Sequence, residues 1–483
     1  MPHARPWASA ALLILSACNL APAYHTPPVE TPLAYKEVAP WQPARPADDL
    51  SRGAWWARFG DETLNGLEPL IDQANPGLAA TVARYDQARA FAVEAAANLY
   101  PQINGAAEMT ANRQSDNRPL RISTKQPSYY GADELAASIG YEVDLWGKVR
   151  NEAAAGRATA QASAADLASM RLSLQAELAS DYLALRGIDA QDQVLTDTVA
   201  AYQKAFDLTE HRFEGKIVSS LDVSRAQTQL RAAQAALANS AATRALYEHA
   251  IATLVGKPAS DFSIPAKVIA FTQPDIPTGV PSNLLQRRPD IAAAERAANA
   301  ANSSVGVARA AFYPSLSLNL LGGFQSTRLS LLNLPDSLWT IGPTLTIPVF
   351  EGGRLKANES AAYAQLRLAG TNYRSVVLSA FQDVEDQAAL LRQLAQASTD
   401  EEASVTSAQH SLDVALNLYR LGVTSYLEVV TAQTALLQAQ QTALDFATRR
   451  QLAAVGLIRA LGGGWDVKDL PSDREATRLA ANH

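Results

Sequence analysis

The chain contains 483 residues, of which 48% are hydrophobic, and it carries a formal net charge of -7 at pH 7. A chain of this length and apolar content can bury a sizeable core, which excludes disorder as its main state. The acidic balance offers no basic surface for phosphate neutralisation, which excludes nucleic acid as a partner. The single cysteine excludes intrachain disulfides and thiolate metal clusters.

The N-terminus has the pattern of a secretory signal. Arg5 precedes a short apolar run that ends in Leu15-Ser16-Ala17-Cys18, and this run is too short to cross a bilayer. It resembles a bacterial lipoprotein signal, which predicts a signal peptide over residues 1–17 and a covalent lipid on Cys18, with no other cofactor. Asn19, at a position where inner-membrane lipoproteins carry Asp, indicates the outer membrane. The alternative is an ordinary signal peptide followed by an incidental cysteine.

Residues 18–60 are predicted to form an extended tether, because the many prolines between Pro22 and Pro46 disfavour packed elements. No later segment has the roughly 18 to 20 uninterrupted apolar residues that a transmembrane helix needs. If the protein crosses a membrane, it must therefore do so with strands.

The rest of the sequence repeats itself. This self-similarity predicts two structural repeats, residues 61–270 and 271–470, followed by a C-terminal tail over residues 471–483. Two offsets relate the repeats, one of about 206 residues and, further upstream, one of about 213; the matched segments are Leu221-Asp222-Val223 with Leu427-Glu428-Val429, Leu254-Val255-Gly256 with Ala460-Leu461-Gly462, and Tyr100-Pro101 with Tyr313-Pro314.

Within each repeat the hydrophobic period changes from that of a strand to that of a helix. Alternating apolar and polar residues predict strand hairpins at about 102–146 and 315–350. The alanine- and glutamine-rich sequence after each hairpin has apolar residues every three or four positions, which predicts long helices at about 148–256 and 352–462. A helix from Gly352 to Tyr419 would be about 100 Å long.

Four strands with one apolar face cannot be stable in lipid alone, because their edges would leave backbone groups unpaired. Membrane barrels begin at about eight strands, so several copies must contribute, and three copies in a cyclic assembly would supply twelve. Trp146 and Trp339 lie near strand ends, where aromatic rings favour the membrane–water interface. A soluble sandwich with buried tryptophans is the alternative.

Several motifs occur together in one order along the chain, namely Cys18-Asn19-Leu20-Ala21-Pro22-Ala23-Tyr24, Trp55-Trp56, Arg287-Arg288-Pro289-Asp290-Ile291 and Tyr313-Pro314-Ser315. With these motifs the sequence resembles the TolC-like outer-membrane factor family and, within it, the NodT-type outer-membrane efflux lipoproteins of resistance-nodulation-division pumps. The resemblance implies a mixed α and β membrane protein: long antiparallel helices form a trimeric α-barrel, and four strands per subunit contribute to a twelve-stranded trimeric transmembrane β-barrel.

The same resemblance implies a passive channel and not an enzyme. In agreement, the sequence shows neither a phosphate loop nor a nucleophile with a matched base. The implied partners are two further copies in a homotrimer, outer-membrane lipid, a periplasmic adaptor protein and an inner-membrane resistance-nodulation-division pump. That pump would hand over drugs or other small toxic compounds.

The resemblance also implies functional positions at the two helix–helix turns. Leu427 and Glu428 resemble residues that line a periplasmic gate, and Tyr419 resembles a gate tyrosine. Asp222, the counterpart of Glu428 in the first repeat, is included in the same gate. Contacts with the adaptor are implied for the turn residues Gly215, Lys216, Gly422, Val423 and Thr424.

Alternatives remain open for these residues and for the whole chain. Ser425 with Glu428, and Ser219 with Asp222, have the spacing of helix capping boxes, a role that is compatible with a gate. For the whole chain, the rivals are an exit duct for type I protein secretion and a coiled-coil structural lipoprotein without a pore.

Overall fold

The computed structural model describes residues 19–37, 53–115, 117, 129–274, 276, 284–327 and 334–478. The predicted signal peptide and Cys18 lie outside the described residues, so lipidation stays a prediction. None of the helices in these ranges combines the length and the apolar content that a membrane span requires.

Helices make up most of the described chain, and their lengths recur. Each half contains a 22-residue helix before its hairpin, then a 67-residue helix and a 35-residue helix. The helices are α1 Glu62–Ala74, α2 Pro76–Ala97, α3 Lys148–Glu214, α4 Ser220–Leu254, α5 Pro289–Ala310, α6 Arg354–Arg420, α7 Tyr426–Ala460 and the short α8 Asp473–Ala476, with a further four-residue helix, Leu284–Arg287, just before α5.

The two longest helices, α3 and α6, each extend about 100 Å at 1.5 Å per residue. Their alanine-, glutamine- and leucine-rich sequences have high helix propensity and contain no proline. Each begins after a glycine in the left-handed conformation, Gly147 with φ 76° and Gly353 with φ 89°. A side chain at these positions would be strained, so glycine allows the sharp change from strand to helix.

The four strands form one antiparallel sheet in the order β1-β2-β3-β4. The strands are β1 Gln102–Arg113, β2 Tyr129–Val143, β3 Ser315–Ser326 and β4 Ser337–Thr346. Each predicted hairpin is present, and the pairing of β2 with β3 joins the two hairpins. Within the described residues, β1 and β4 each have a neighbour on one side only, so both edges of the sheet present unpaired backbone groups.

One face of this sheet carries an apolar band. The register aligns side chains of the same kind on neighbouring strands, so that Ile103 is opposite Ile139, Ile139 is opposite Leu320, and Leu320 is opposite Ile341. Trp339, on the edge strand β4, is 76% exposed. The opposite face carries small and polar residues, among them Glu108, Ser138, Asn319 and Thr340.

The offsets found in the sequence recur in the structure. The long helices begin at residues 148 and 354 and the shorter ones at 220 and 426, which is an offset of 206 in both cases. The helices before the hairpins begin at residues 76 and 289, an offset of 213. The two halves therefore follow one structural plan.

The main hydrophobic core lies where α1 packs against the middle of the long helices, away from both the sheet and the helix–helix turns. Buried charges are paired there. The Arg186 Nη1 atom lies 2.8 Å from Asp189 Oδ2, and the Arg244 Nε atom lies 2.7 Å from Asp189 Oδ1. Because Arg186 and Asp189 are both buried, removing Asp189 would leave the charge of Arg186 uncompensated in the core.

The two ends of the chain cover different repeats. The tether passes along the helices of the second repeat, where the Tyr24 hydroxyl donates to Glu295 Oε1 at 2.7 Å. The backbone N–H groups of Lys36 and Glu37 donate to the two carboxylate oxygens of Glu385. The C-terminal segment instead packs on the first repeat, with Ala476 buried against Ala92 and Ala160.

Glu68, on the buried face of α1, makes stability depend on pH. Its side chain is fully buried, and neither carboxylate oxygen has a hydrogen-bond partner among the described residues. Burial, and to a lesser extent the charge of Asp72, raise the pKa of Glu68 from 4.5 to about 9. Between these values the folded protein retains a proton that the unfolded chain releases, so stability falls as pH rises from about 5 to about 9.

We therefore expect Glu68→Gln to flatten the pH dependence of the thermal unfolding temperature over this range, because glutamine cannot ionise. The matched control is Glu62→Gln, at an exposed position on the same helix, which should leave the dependence as in the unmodified protein. Equal slopes for Glu68→Gln and the unmodified protein would contradict this assignment.

Candidate functional site at the helix–helix turns

The two turns between paired helices are built alike. After α3 the Ile217 N–H donates to the Arg212 carbonyl at 2.8 Å, and after α6 the Val423 N–H donates to the Leu418 carbonyl at 2.9 Å. Each bond ends its helix by spanning a residue in the left-handed conformation, as in a Schellman motif. That residue is Gly422 (φ 74°) in the second repeat but Lys216 (φ 58°) in the first.

A small core stabilises these turns. It consists of the buried side chains of Ala226, Tyr419, Tyr426 and Val429. The rings of Tyr419 and Tyr426 lie 5.3 Å apart between centroids, across the turn that joins α6 to α7. Ala226 belongs to α4, so the core packs one helix pair against the other.

Arg212 links the two turns. Its guanidinium carbon lies 4.7 Å from the centroid of the Tyr419 ring, and its Nη1 atom donates to the Tyr419 carbonyl at 3.0 Å. The Tyr419 carbonyl also accepts from the Gly422 N–H at 3.0 Å, and a basic side chain is favourable near the carbonyls that end a helix. Arg212 therefore connects the end of α3 to the end of α6.

Tyr426 is the most strongly perturbed titratable group of this core. Burial, followed by the neighbouring Tyr419, Tyr202 and Asp222, raises its pKa to about 12. The phenol is therefore neutral at any physiological pH and serves as a packed aromatic side chain.

The structure separates the predicted gate residues into two groups. Leu427 is 45% exposed and Glu428 is exposed, so both are available at the surface of a single subunit. Tyr419 is buried in the core of the turns. The Asp222 carboxylate accepts a hydrogen bond from the Ser219 hydroxyl at 3.2 Å and lies 3.6 Å from Arg225, so it is partly neutralised within the subunit.

The predicted adaptor residues lie at the extreme of the turns. Gly215, Lys216, Gly422 and Val423 are exposed, and Thr424 is half-buried. The sequence prediction omitted Ile217 and Leu421, whose side chains are also exposed there. Ile217 could have been found as the counterpart of Val423 at the offset of 206 residues.

The expected capping boxes do not form. Ser219 and Ser425 are the N-cap residues of α4 and α7, but neither side chain makes a capping hydrogen bond. The Ser219 hydroxyl binds the Asp222 carboxylate instead. The N-cap positions were therefore correct, while the capping bonds were wrong.

Two acidic residues near the end of β2 make local contacts. The Asp144 carboxylate lies beyond the end of β2 and accepts hydrogen bonds from the backbone of Val149 and Arg150 at the start of α3. Glu142 lies 3.3 Å from the Lys148 ammonium group. No group of three or more His, Cys, Asp or Glu side chains in the described ranges could hold a metal ion.

Comparison with known proteins identifies the family. The model of the outer membrane efflux protein family matches residues 69–257 and 280–463. This chain belongs to the outer membrane efflux protein family. The two matched ranges correspond to the two structural repeats, and they include both helix–helix turns.

Relatives match along nearly the whole chain. The outer membrane protein OprJ of Pseudomonas aeruginosa is 31% identical over 94% of this chain and 94% of its own length. The cation efflux system protein CusC of Escherichia coli is 29% identical over 94% of this chain and 97% of its own length. The solved outer-membrane channel OprN, 27% identical, superposes with a TM-score of 0.86 over 93% of this chain and all of its own.

Family membership confirms several predictions. The mainly helical fold with a four-stranded antiparallel sheet is that of outer-membrane channels. The chain is an outer-membrane efflux channel protein of a family that is not enzymatic. The roles of the individual turn residues stay predictions.

We expect Arg212→Ala to loosen the turns, because it removes one hydrogen bond and one cation–π contact, each worth about 1 kcal/mol. Amide hydrogen exchange at Gly422 and Val423 should accelerate about tenfold, which corresponds to about 1.4 kcal/mol. Arg420→Ala, which removes an exposed arginine at the end of α6, is the control and should leave exchange unchanged. Equal exchange in both variants would contradict a linking role for Arg212.

Proposed function

We propose that three copies of this chain form a passive exit duct across the outer membrane, continued by a helical tube in the periplasm. One observation carries the proposal: a sheet that has an apolar band on one face and, among the described residues, two unpaired edges joins directly onto helices about 100 Å long. The sheet is suited to lipid and the helices are suited to water. The junction between sheet and helices would therefore lie at the membrane surface.

The free edges support the trimer. A β1 edge of one copy can pair with the β4 edge of the next, so that twelve strands close without an exposed backbone edge. The apolar face then contacts acyl chains, and the polar face lines the pore. Exposed Trp339 is suited to this lipid-facing surface.

The turns at the far end of the helices form the periplasmic entrance. Leu427 and Glu428 are exposed in one subunit, so three copies of each can meet near the three-fold axis. Three leucines would make a narrow, poorly wetted constriction, and three carboxylates would attract cations. The buried Tyr419 and the locally paired Asp222 hold these exposed residues in place.

The exposed turn residues around Gly215, Lys216, Gly422, Val423 and Thr424 form the contact with a periplasmic adaptor. Ile217 and Val423 each present an apolar side chain at the extreme of a turn, more than two-thirds exposed. Small and apolar side chains at a rim can be covered by a partner with little loss of side-chain entropy. The adaptor would in turn connect the duct to an inner-membrane pump.

The tether supports a lipid anchor on Cys18. The Asn151 amide donates to Asn19 Oδ1 at 2.9 Å, and Asn151 lies in the first turn of α3, just after the sheet ends. The residue that follows Cys18 is therefore held beside the junction of sheet and helices. An acyl chain attached there would reach the periplasmic leaflet of the outer membrane.

We expect deletion of this protein to raise the accumulation of small toxic compounds in the cell and to lower resistance to them, while protein secretion is unaffected. The measurement compares intracellular drug accumulation with secreted protein in the deletion strain and in a strain complemented with the unmodified chain. A secretion defect with unchanged accumulation would favour the rival duct for type I protein secretion.

We expect Leu427→Gly and Glu428→Ala to raise the single-channel conductance of the purified trimer in planar bilayers, because both reduce the constriction at the entrance. Leu378→Gly and Glu402→Ala are matched controls at exposed positions of α6 that are distant from the turns. The controls should conduct like the unmodified channel. Unchanged conductance in Leu427→Gly and Glu428→Ala would remove both residues from the gate.

A further inference from the structure

In each repeat the helix that follows a helix–helix turn ends against the start of the helix that precedes the hairpin, and one side chain bridges this junction. We call α4 and α7, which follow the turns, the lower helices, and α2 and α5, which precede the hairpins, the upper helices. In the first repeat, α4 ends at Leu254 and α2 begins after its N-cap residue Asn75. The Asn75 amide Nδ2 donates to the Leu254 carbonyl at 2.8 Å, while its Oδ1 accepts from the Leu78 N–H. One side chain thus caps the upper helix and binds a terminal carbonyl of the lower helix.

The second repeat has the same junction with different chemistry. Here α7 ends at Ala460 and α5 begins after its N-cap residue Arg288. The Arg288 Nη1 atom donates to the Ala460 carbonyl at 3.3 Å. Both terminal carbonyls would otherwise lack a helical partner, so each bridging side chain satisfies an acceptor at a helix end.

The offsets of the two repeats show that these are counterparts. Asn75 and Arg288 are related by the offset of 213 residues, and Leu254 and Ala460 by the offset of 206. The donor therefore comes from the part of the repeat that precedes the hairpin, and the acceptor from the part that follows it. The sequence around Asn75 or Arg288 does not by itself predict the junction, because the two bridging residues differ in type and resemble each other only in that each can donate a hydrogen bond.

A glycine allows the close approach at each junction. A Cβ atom added to Gly256 would lie 2.2 Å from the Ala74 carbonyl oxygen, and one added to Gly462 would lie 1.9 Å from the Arg287 carbonyl oxygen. Both contacts are with backbone atoms, which cannot move aside as a flexible side chain can. Any larger residue would therefore separate the lower helix from the upper one.

The two bridging residues differ in their other contacts. Asn75 forms neutral hydrogen bonds, whereas Arg288 lies 2.7 Å from Asp290 and 2.9 Å from Asp383. Asp383 belongs to the long helix α6, so the second junction is also tied to a neighbouring helix. Hydrogen bonds between charged groups are about twice as strong as neutral ones.

We propose that Asn75 and Arg288 are positioning residues that hold each lower helix in line with its upper helix, and thereby fix the position of the entrance turns. Arg288 is in addition paired with Asp290 and with Asp383 of α6, so the second junction is also connected to a neighbouring long helix. The proposal rests on the proposed function only in that the lower helices carry the entrance of the duct.

The first test measures the junction itself. Spin labels are placed on exposed positions of α5 and α7 by Ala297→Cys and Arg449→Cys in a Cys18→Ser background, in trimers diluted with unlabelled subunits. The labels would lie about 30 Å apart along the two helices. Gly462→Ala should increase the mean distance between the labels, or the width of the distance distribution, by about 2 Å or more.

The structure supplies a matched control for this test. Gly353 has φ +89°, almost the value of +91° at Gly462, but a Cβ atom there would meet nothing within 4 Å. Gly353→Ala thus introduces the same backbone strain without the contact, and it should leave the distance unchanged. A Gly462→Ala distribution that superposes on those of Gly353→Ala and the unmodified protein would overturn the proposal.

The second test removes the bridging side chain without adding an atom. Arg288→Ala should broaden the same distance distribution and raise single-channel conductance about twofold, while Arg288→Lys, which keeps a charged donor, should restore both in part. If Gly462→Ala does not fold, Arg288→Ala and Arg288→Lys test the proposal in its place. An unchanged distance in Arg288→Ala trimers would overturn the role of Arg288.

The two readouts also separate this proposal from the function on which it rests. If the unmodified protein forms no conducting channel, the proposed duct fails, while the distance measurement still decides whether the junctions hold the helices in line. If the channel conducts and the distances respond but conductance does not, the junctions do not control the entrance and the proposal is overturned in that part.

Discussion

Every backbone N–H and C=O group in a bilayer needs a hydrogen-bond partner, and the architecture depends on this requirement. This chain provides an apolar band on one sheet face, formed by residues such as Ile139, Leu320 and Ile341, but in the part of the chain that the structure describes β1 and β4 have one neighbour each. A single copy therefore cannot satisfy the requirement. Sister copies can satisfy it at both edges at once, and the helices that follow the strands are then gathered into a tube.

Much of the fold could be predicted because its signals are local. Alternation along Glu134–Trp146 and the spacing of apolar residues after Gly352 depend on neighbours in sequence, and both correspond to elements in the structure. The pairing of β2 with β3 was not predictable in this way, because it joins strands that are far apart in the chain. It is this pairing that converts two hairpins into one sheet with a single apolar face.

The candidate site was predictable in position and less so in detail. The turns at Gly215–Lys216 and Gly422–Val423 are at the predicted places, but no local pattern indicates that Tyr419 is buried. That burial depends on Arg212, whose partner lies more than 200 residues away in sequence. The absent capping bond at Ser219 has a local origin, because its hydroxyl donates to the carboxylate of Asp222, three residues further along.

The two repeats preserve one plan while their chemistry has diverged. A lysine replaces a glycine at one turn, and an arginine replaces an asparagine at one helix junction. The ends of the chain cover different repeats, with Tyr24 against the second and Ala476 against the first.

The oligomeric state of the purified mature protein tests the central claim most directly. Sedimentation in detergent, with the detergent contribution subtracted, should give the mass of three chains, and removal of the detergent should precipitate the protein. A monodisperse single chain that stays in solution without detergent would contradict the account, because its sheet edges and apolar face would then need neither lipid nor sister copies.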